Sequence, residues 1–432
     1  MYIHDIEITN IRSIGEFRMN FVKPAGWHVL IGDNGTGKST IVRSIALALI
    51  GPEEIIAVRP NWDEWLSMNK TEGSIELTLL PNLDFDKSSY QANNTERIKN
   101  IIKLNRNKRT QFTSNINSRD VNSPEKYNWG NNKGWFSVAY GPFRRFSGGS
   151  PEWGKVYDSY PKAGAHLSVF GEDVALTEAL EWLKELDYKR LKEKESSSKK
   201  GDSEKLFDGL KRFINKSHLL PHGATFEKIE EGGAVFKDGN GNIIPVTQLS
   251  DGYRSILSLT FELIHQLVRT YGIDETFKEI FDGKMHIKVP GVVIIDEIDA
   301  HLHPTWQTKI GEWFTKYFPA IQFIVTTHSP LICRASEKGT IWRLPAPGSN
   351  VPCGEITGEI RNRLISGNIL DAYGTEVFGQ DISISESSDK KLNALAELNV
   401  KSLLGKITDK EENKRRKLKS VFPTENTLLK HD

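Results

Sequence analysis

Residues 26–50 constrain the fold of this chain more than any other stretch. Trp27-His28-Val29-Leu30-Ile31 is a largely apolar run that leads directly into Gly32-Asp33-Asn34-Gly35-Thr36-Gly37-Lys38-Ser39. Ile41, Ile45, Ala48 and Leu49 then recur at helical spacing until Gly51-Pro52 stops them. A buried strand, a glycine-rich loop and a helix in that order turn backbone amides toward one point. Glycine lets the backbone curl tightly around phosphate oxygens, and the helix N-terminus favours an anion. Asn34, Gly35, Thr36, Gly37, Lys38, Ser39 and Thr40 are therefore candidate nucleotide-binding residues. Lys38 is expected to bridge the β- and γ-phosphates, and Ser39 to offer its hydroxyl to Mg²⁺.

A second apolar run, Val292-Val293-Ile294-Ile295, ends in Asp296-Glu297. A buried strand that stops at a carboxylate places it at the C-terminal edge of a sheet, beside the phosphates. Asp296 is read as a Mg²⁺ ligand and Glu297 as the group that polarises the attacking water. A third run, Ile321 to Val325, ends in Thr326-Thr327-His328-Ser329-Pro330, which puts His328 where it can bond the γ-phosphate or that water. Leu249-Ser250-Asp251-Gly252-Tyr253-Arg254-Ser255 opens a helix expected to run to Tyr271, so Ser250 and Gly252 offer another anion-binding N-terminus. Residues 32–39 already cradle one phosphate group. The second N-terminus is most useful facing the γ-phosphate of a partner subunit.

The chain has 432 residues, 38% hydrophobic and 26% charged, with a net charge of +1. That suits two or three domains' worth of core, and no global field attracts nucleic acid. The first residues lack a basic segment followed by an apolar run, and no apolar stretch is long enough to span a bilayer. Cys333 and Cys353 cannot build a disulfide framework or a metal cluster by themselves, and a reducing cytoplasm is the simplest setting.

Alternation predicts strands over Tyr2–Thr9, Glu16–Phe21, 74–80, about 97–113 and Trp135–Tyr140. Residues 147–165, rich in Gly, Pro and Ser, read as a loop. Helices are expected around Leu176–Leu186, over Glu204–Asn215 and over Pro304–Tyr317, and a hairpin over Ala234–Val246 around Asp238-Gly239-Asn240-Gly241.

In this order the motifs resemble the ATP-binding cassette superfamily, in its soluble SMC/RecF/OLD-like branch. Residues 249–255 stand as the signature, Ile298–Leu302 as the D-loop and His328 as the switch histidine. Thr9-Asn10-Ile11-Arg12-Ser13-Ile14 is similar to the opening of that branch, which adds Arg12 to the nucleotide-binding candidates. The resemblance implies an α/β fold: an ABC ATPase head with a mixed β lobe and a parallel-sheet P-loop lobe, a short helical insertion and an α-rich C-terminal extension. The expected divisions are 1–148, 149–235, 236–345 and 346–432. It further implies ATP and Mg²⁺ as ligands, hydrolysis of ATP, and two heads sandwiching two nucleotides in a dimer or higher oligomer.

Three departures narrow it. Tyr140-Gly141-Pro142-Phe143-Arg144-Arg145 stands where a Q-loop glutamine belongs. Long coiled coils and a Cys-x-x-Cys hook are missing. The C-terminal aspartates show no paired Asp-x-Asp of a Toprim nuclease. Together with Glu297–Gln307, the Tyr140–Arg145 segment resembles the stand-alone ATPases of bacterial anti-phage defence systems of the Septu and retron-linked kinds. That resemblance implies a separate effector, such as an HNH nuclease, bound near the insertion, the Arg144-Arg145 loop or the C-terminal region. A DNA-repair ATPase acting directly on DNA and an ATP-binding scaffold with little turnover are the competing readings.

Arg97, Lys99, Lys103, Arg106, Lys108, Arg109 and Arg119 follow one another with no acid between, which fits either a nucleic-acid-binding strand or a solvated sheet face. Lys414–Lys419 reads as a solvated helix end. Asp84-Phe85-Asp86 reads as a solvated polar loop, and His301-x-His303 lacks a third metal ligand.

Overall fold

The computed structural model describes the chain apart from residues 59, 89–96, 116–122, 131, 144–155, 157–158, 172–176, 197–200, 231–232, 347, 349–352, 368–385, 404–405 and 422–432. Arg119, Arg144, Arg145 and Leu176 lie outside the described residues. The chain divides into two compact units, Met1–Gly367 and Asn368–Asp432.

The first unit is built on two large sheets. β1 (Tyr2–Ile11), β2 (Ile14–Asn20), β4 (Glu72–Leu80), β5 (Ile98–Arg106) and β6 (Thr110–Ser114) form an antiparallel sheet in the order β2-β1-β4-β5-β6. The second sheet has the order β14-β13-β3-β12-β11-β7, using β3 (Gly26–Ile31), β7 (Ser137–Tyr140), β11 (Gly291–Ile295), β12 (Ile321–Thr327), β13 (Ile341–Arg343) and β14 (Gly354–Glu355). Its members from β7 through β13 run parallel, and β14 is antiparallel at the edge. β3, β11 and β12 are buried along their whole length, as strands covered on both faces are.

Helix α1 (Lys38–Ile50) packs against β1, β4 and β5 on one side and β7, β11 and β12 on the other. Its apolar residues occupy nearly every face, which suits a helix enclosed between layers. Ile3, Ile6, Ile8, Ile75, Leu77, Ile102 and Leu104 from the antiparallel sheet share this core with Ile41, Ile45 and Leu49. A smaller antiparallel sheet, β10-β9-β8, uses β8 (Thr225–Glu230), β9 (Gly233–Lys237) and β10 (Ile243–Pro245). Helices Thr177–Ser196 and Asp202–Lys216 pack on it, and helix Asp251–Tyr271 packs on the first of them.

Four local expectations are corrected. Residues 97–113 form not one run but a hairpin, β5 and β6, turning at 107–109. Residues 161–166 are a short helix, with Pro161 supplying the fixed φ that a first helical turn accepts. Pro304–Tyr317 is two helices, Pro304–Gln307 and Ile310–Tyr317. Asp86 is buried rather than solvated: Oδ1 accepts from Trp135 N at 2.7 Å, and Oδ2 accepts from Asn82 N at 2.7 Å and pairs with the Met1 amine at 2.6 Å.

The basic run is also less open than its composition suggests. The Arg106 guanidinium turns onto the 63–70 segment and donates to the carbonyls of Asp63, Leu66, Ser67 and Met68 at 2.7–3.2 Å. Arg97 lies 3.2 Å from His4 Nε2 and 3.9 Å from Asp5. Lys99, Lys103, Lys108 and Arg109 stay exposed. The same sheet presents Glu7 opposite Glu76, one strand away from Lys103 opposite Ser74, so the face mixes both signs.

The second unit contains helices Glu386–Leu403 and Asp409–Val421. They are joined by a Lys401–Glu411 bond of 2.6 Å and an Arg415–Asn399 bond of 3.2 Å. Arg415 and Arg416 both pair with Glu412, as a solvated helix end would. No described helix is long and apolar enough to cross a membrane.

Candidate nucleotide site

The register of the parallel sheet assembles the site. Ile295 lies opposite Val325 and Tyr140, and Thr327 lies opposite Ile31. The turns that begin at Gly32, Gly141, Asp296 and His328 therefore leave the same C-terminal edge. That edge is the ligand-binding side of an α/β sheet.

Gly37 caps α1 in the left-handed region at φ 94, a conformation glycine reaches without the Cβ penalty. Its Cα faces the β1–β2 turn, where Ile14 and Ser13 approach. Gly35 is also left-handed, and Asp33, Asn34 and Gly35 are exposed at the lip of the loop. Thr36 Oγ1 donates to Asp33 O at 3.0 Å. Thr40 is buried, and its carbonyl accepts from Ser44 Oγ. Ser39 is half-buried beside Lys38. No acidic side chain stands in the first turn of α1, where it would offset the helix dipole's attraction for an anion.

Lys38 is 6% exposed, and its ammonium donates to Gly32 O at 2.7 Å and Asp33 O at 2.9 Å. Burial pulls its pKa below the ordinary lysine value. The charges of Asp296, Glu297, Asp33 and Asp299 act in the opposite direction. The loop and the acids at the end of β11 thus meet on one buried cation.

Asp296 is 1% exposed, and its backbone N–H donates to Tyr140 O at 2.8 Å. Thr326 Oγ1 donates to Asp296 Oδ1 at 2.5 Å and accepts from Glu297 N at 2.7 Å. Glu297 itself is left-handed at φ 47, which aims the two adjacent carboxylates differently. Asp299 accepts from Thr327 Oγ1 at 2.6 Å. His328 is half-buried in the turn beyond β12. One buried carboxylate and a hydroxyl beside a lysine form a hard-oxygen donor set that fits Mg²⁺ shared with phosphate oxygens. Among the described residues no group of three or more His, Cys, Asp or Glu is arranged to hold a metal by itself. His303 caps its own short helix, its Nδ1 accepting from Thr305 N at 3.3 Å.

The remaining candidates sit elsewhere. Ser250 caps helix Asp251–Tyr271 without a side-chain capping bond. A Cβ on Gly252 would meet His301 O at 2.9 Å, and Trp306 Nε1 donates to Tyr253 Oη at 3.2 Å. The start of this helix is therefore seated on the 301–306 segment of its own chain. Arg12, at the β1–β2 turn next to the loop, lays its guanidinium 4.6 Å over the Trp65 ring and donates its backbone N–H to Trp65 O. The bridging of Asp296 and Glu297 by Thr326 has no local signature. The only hint is that β12, apolar up to Val325 but for Gln322, ends in two hydroxyl residues, Thr326 and Thr327.

Residues 1–139 match the AAA_15 family, described as an AAA ATPase domain, and residues 151–334 match AAA_21, described as an "AAA domain … Type IV TA system". The Septu protein PtuA of Bacillus mycoides is 28% identical over 352 residues, which are 79% of this chain and 40% of the relative. The Retron Ec83 probable ATPase of Escherichia coli is 24% identical over 403 residues, 79% of this chain and 71% of that protein. The chain thus spans two fifths of the first relative's length. A similar solved structure is an SMC head bound to the C-terminal winged-helix domain of ScpA. It is 16% identical, with a TM-score of 0.48 over 82% of this chain and 97% of that one. The AAA_15 match contains the nucleotide loop and the AAA_21 match contains the β11 carboxylates, so both parts of the site lie in segments similar to AAA-type ATPase domains.

Proposed function

We propose that the chain binds ATP with Mg²⁺ and hydrolyses it, and that the ATP-bound state assembles a dimer or higher oligomer that controls a separate effector, a nuclease such as an HNH enzyme, in bacterial anti-phage defence. The observation that carries the catalytic part is the buried Lys38 ammonium among Asp33, Asp296, Glu297 and Asp299 at one sheet edge. Residues 34–40 would wrap the phosphates through their amides, and Lys38 would exchange its loop carbonyls for phosphate oxygens. Asp296 and Ser39 would hold Mg²⁺, which supplies neutralising charge to the phosphates when bound. Glu297 would orient and polarise the attacking water, and His328 would hydrogen-bond the transferring group. Catalysis by such residues is mainly positioning and charge stabilisation.

Ser250 and Gly252 would face the γ-phosphate of a second copy, because their own 301–306 segment already packs behind them. Arg12 would act at the rim of the loop. The defence role and the separate effector rest on the likeness to a Septu protein and a retron ATPase. Exposed Lys99, Lys103, Lys108 and Arg109 support nucleic acid as a trigger. A cytoplasmic setting follows from the same reading.

Glu297→Gln tests the assignment. The variant is expected to bind ATP with wild-type affinity, to lose turnover by at least tenfold, and to accumulate an ATP-bound assembly in light scattering. Wild-type turnover by this variant removes Glu297 from its role.

A further inference from the structure

β12 ends in two fully buried threonines, and the first of them touches three successive residues of the neighbouring turn. Thr326 Oγ1 donates to Asp296 Oδ1 at 2.5 Å and accepts from Glu297 N at 2.7 Å, while Thr326 O accepts from Ile298 N at 3.0 Å. Glu297 holds a left-handed φ of 47, which a non-glycine residue keeps only when its surroundings over-determine it. The Thr326 hydroxyl supplies part of that determination. It is also bonded to the carboxylate expected to hold the metal. The next residue differs: Thr327 Oγ1 donates to Asp299 Oδ1 at 2.6 Å and accepts from Ser329 N at 2.9 Å. Two adjacent hydroxyls of one strand thus serve two different carboxylates.

We infer that Thr326 is the positioning residue of the metal site: its hydroxyl fixes the rotamer of Asp296 and the backbone of Glu297, so that one carboxylate meets the cation and the next faces the opposite way. This rests on the proposed Mg²⁺–nucleotide site. Valine at position 326 keeps the branched shape and removes only the oxygen that makes both bonds. Hydrogen bonds of this kind to metal ligands commonly change metal affinity more than they change fold.

The test uses Mn²⁺ as a paramagnetic stand-in for Mg²⁺, titrated with ADP and the full chain and read by electron paramagnetic resonance. T326V is expected to weaken Mn²⁺ binding by about tenfold or more, the usual scale for loss of such a partner. T326S keeps the hydroxyl and is expected to stay within about threefold of wild type on that same scale. T327V, which removes the neighbouring hydroxyl from Asp299 instead, is expected to leave Mn²⁺ affinity within about threefold. T326A replaces T326V in the comparison if the valine variant does not fold. Wild-type affinity in T326V, equal weakening in T326S, or equal weakening in T327V each overturns the inference. A wild-type chain that takes up Mn²⁺–nucleotide but shows no turnover overturns the hydrolysis reading and leaves the Thr326 comparison decisive. One that takes up no Mn²⁺–nucleotide overturns both.

Discussion

Lys38 satisfies its ammonium with carbonyls of its own loop, and that sets what its removal does. The two hydrogen bonds to Gly32 and Asp33 stabilise the loop, while burial of the charge opposes it. Lys38→Met removes both effects, so folding stability in urea is expected to change by no more than about 1 kcal/mol. Nucleotide affinity, measured with a fluorescent ATP analogue, is expected to fall at least tenfold, because methionine gives nothing to the phosphates. The placement of Lys38, Asp296 and His328 at one sheet edge was legible because each follows an apolar run at a fixed spacing. Asp86 was not: its partners, Met1, Asn82 and Trp135, come from three separate segments, so its composition suggested a solvated loop.

At the level of elements, alternation identified β1, β2 and β4 well, since one face of each is buried, that of β1 and β4 against α1. Periodicity failed where an element's ends are set by side chains far away in sequence. Arg106 shows the reason. Its guanidinium gathers four carbonyls of the 63–68 segment, so a residue that reads as part of a basic stripe is a clamp between the β5–β6 hairpin and that segment. Arg106→Ala is expected to destabilise the first unit by about 2 kcal/mol, from charge-assisted bonds lost and carbonyls left unpaired. The same substitution is expected to leave retention of duplex DNA within about twofold, because a clamped cation whose donors are held by carbonyls contributes little to phosphate contact. Urea melts and filter binding at fixed salt check the two halves separately.

Across the whole molecule, two buried histidines tie stability to pH. His28 bonds Pro24 O through Nε2 and Thr340 Oγ1 through Nδ1, and His166 bonds Lys162 O through Nδ1. Burial pulls each pKa from 6.5 to about 4. The unfolded chain therefore binds more protons than the folded chain between those values. Stability from these groups is complete above about pH 7 and is lost as pH falls from about 6.5 toward 4, by up to about 3 kcal/mol each. Urea midpoints across that window are expected to fall steeply with acid, and His166→Gln is expected to flatten the slope by roughly half.

The parallel sheet also fixes when the nucleotide loop comes into being. β3, which leads into that loop, is hydrogen-bonded to β12 and β13, and Leu344 N–H donates to Ile31 O at 2.8 Å. A ribosome adding about 5–20 residues per second makes residues 26–39 roughly 15–60 s before residues 321–344. During that interval the growing chain carries the glycine-rich loop without the strands that flank it. Competence to hold nucleotide thus arrives late in synthesis, as a mark that the first unit has been finished.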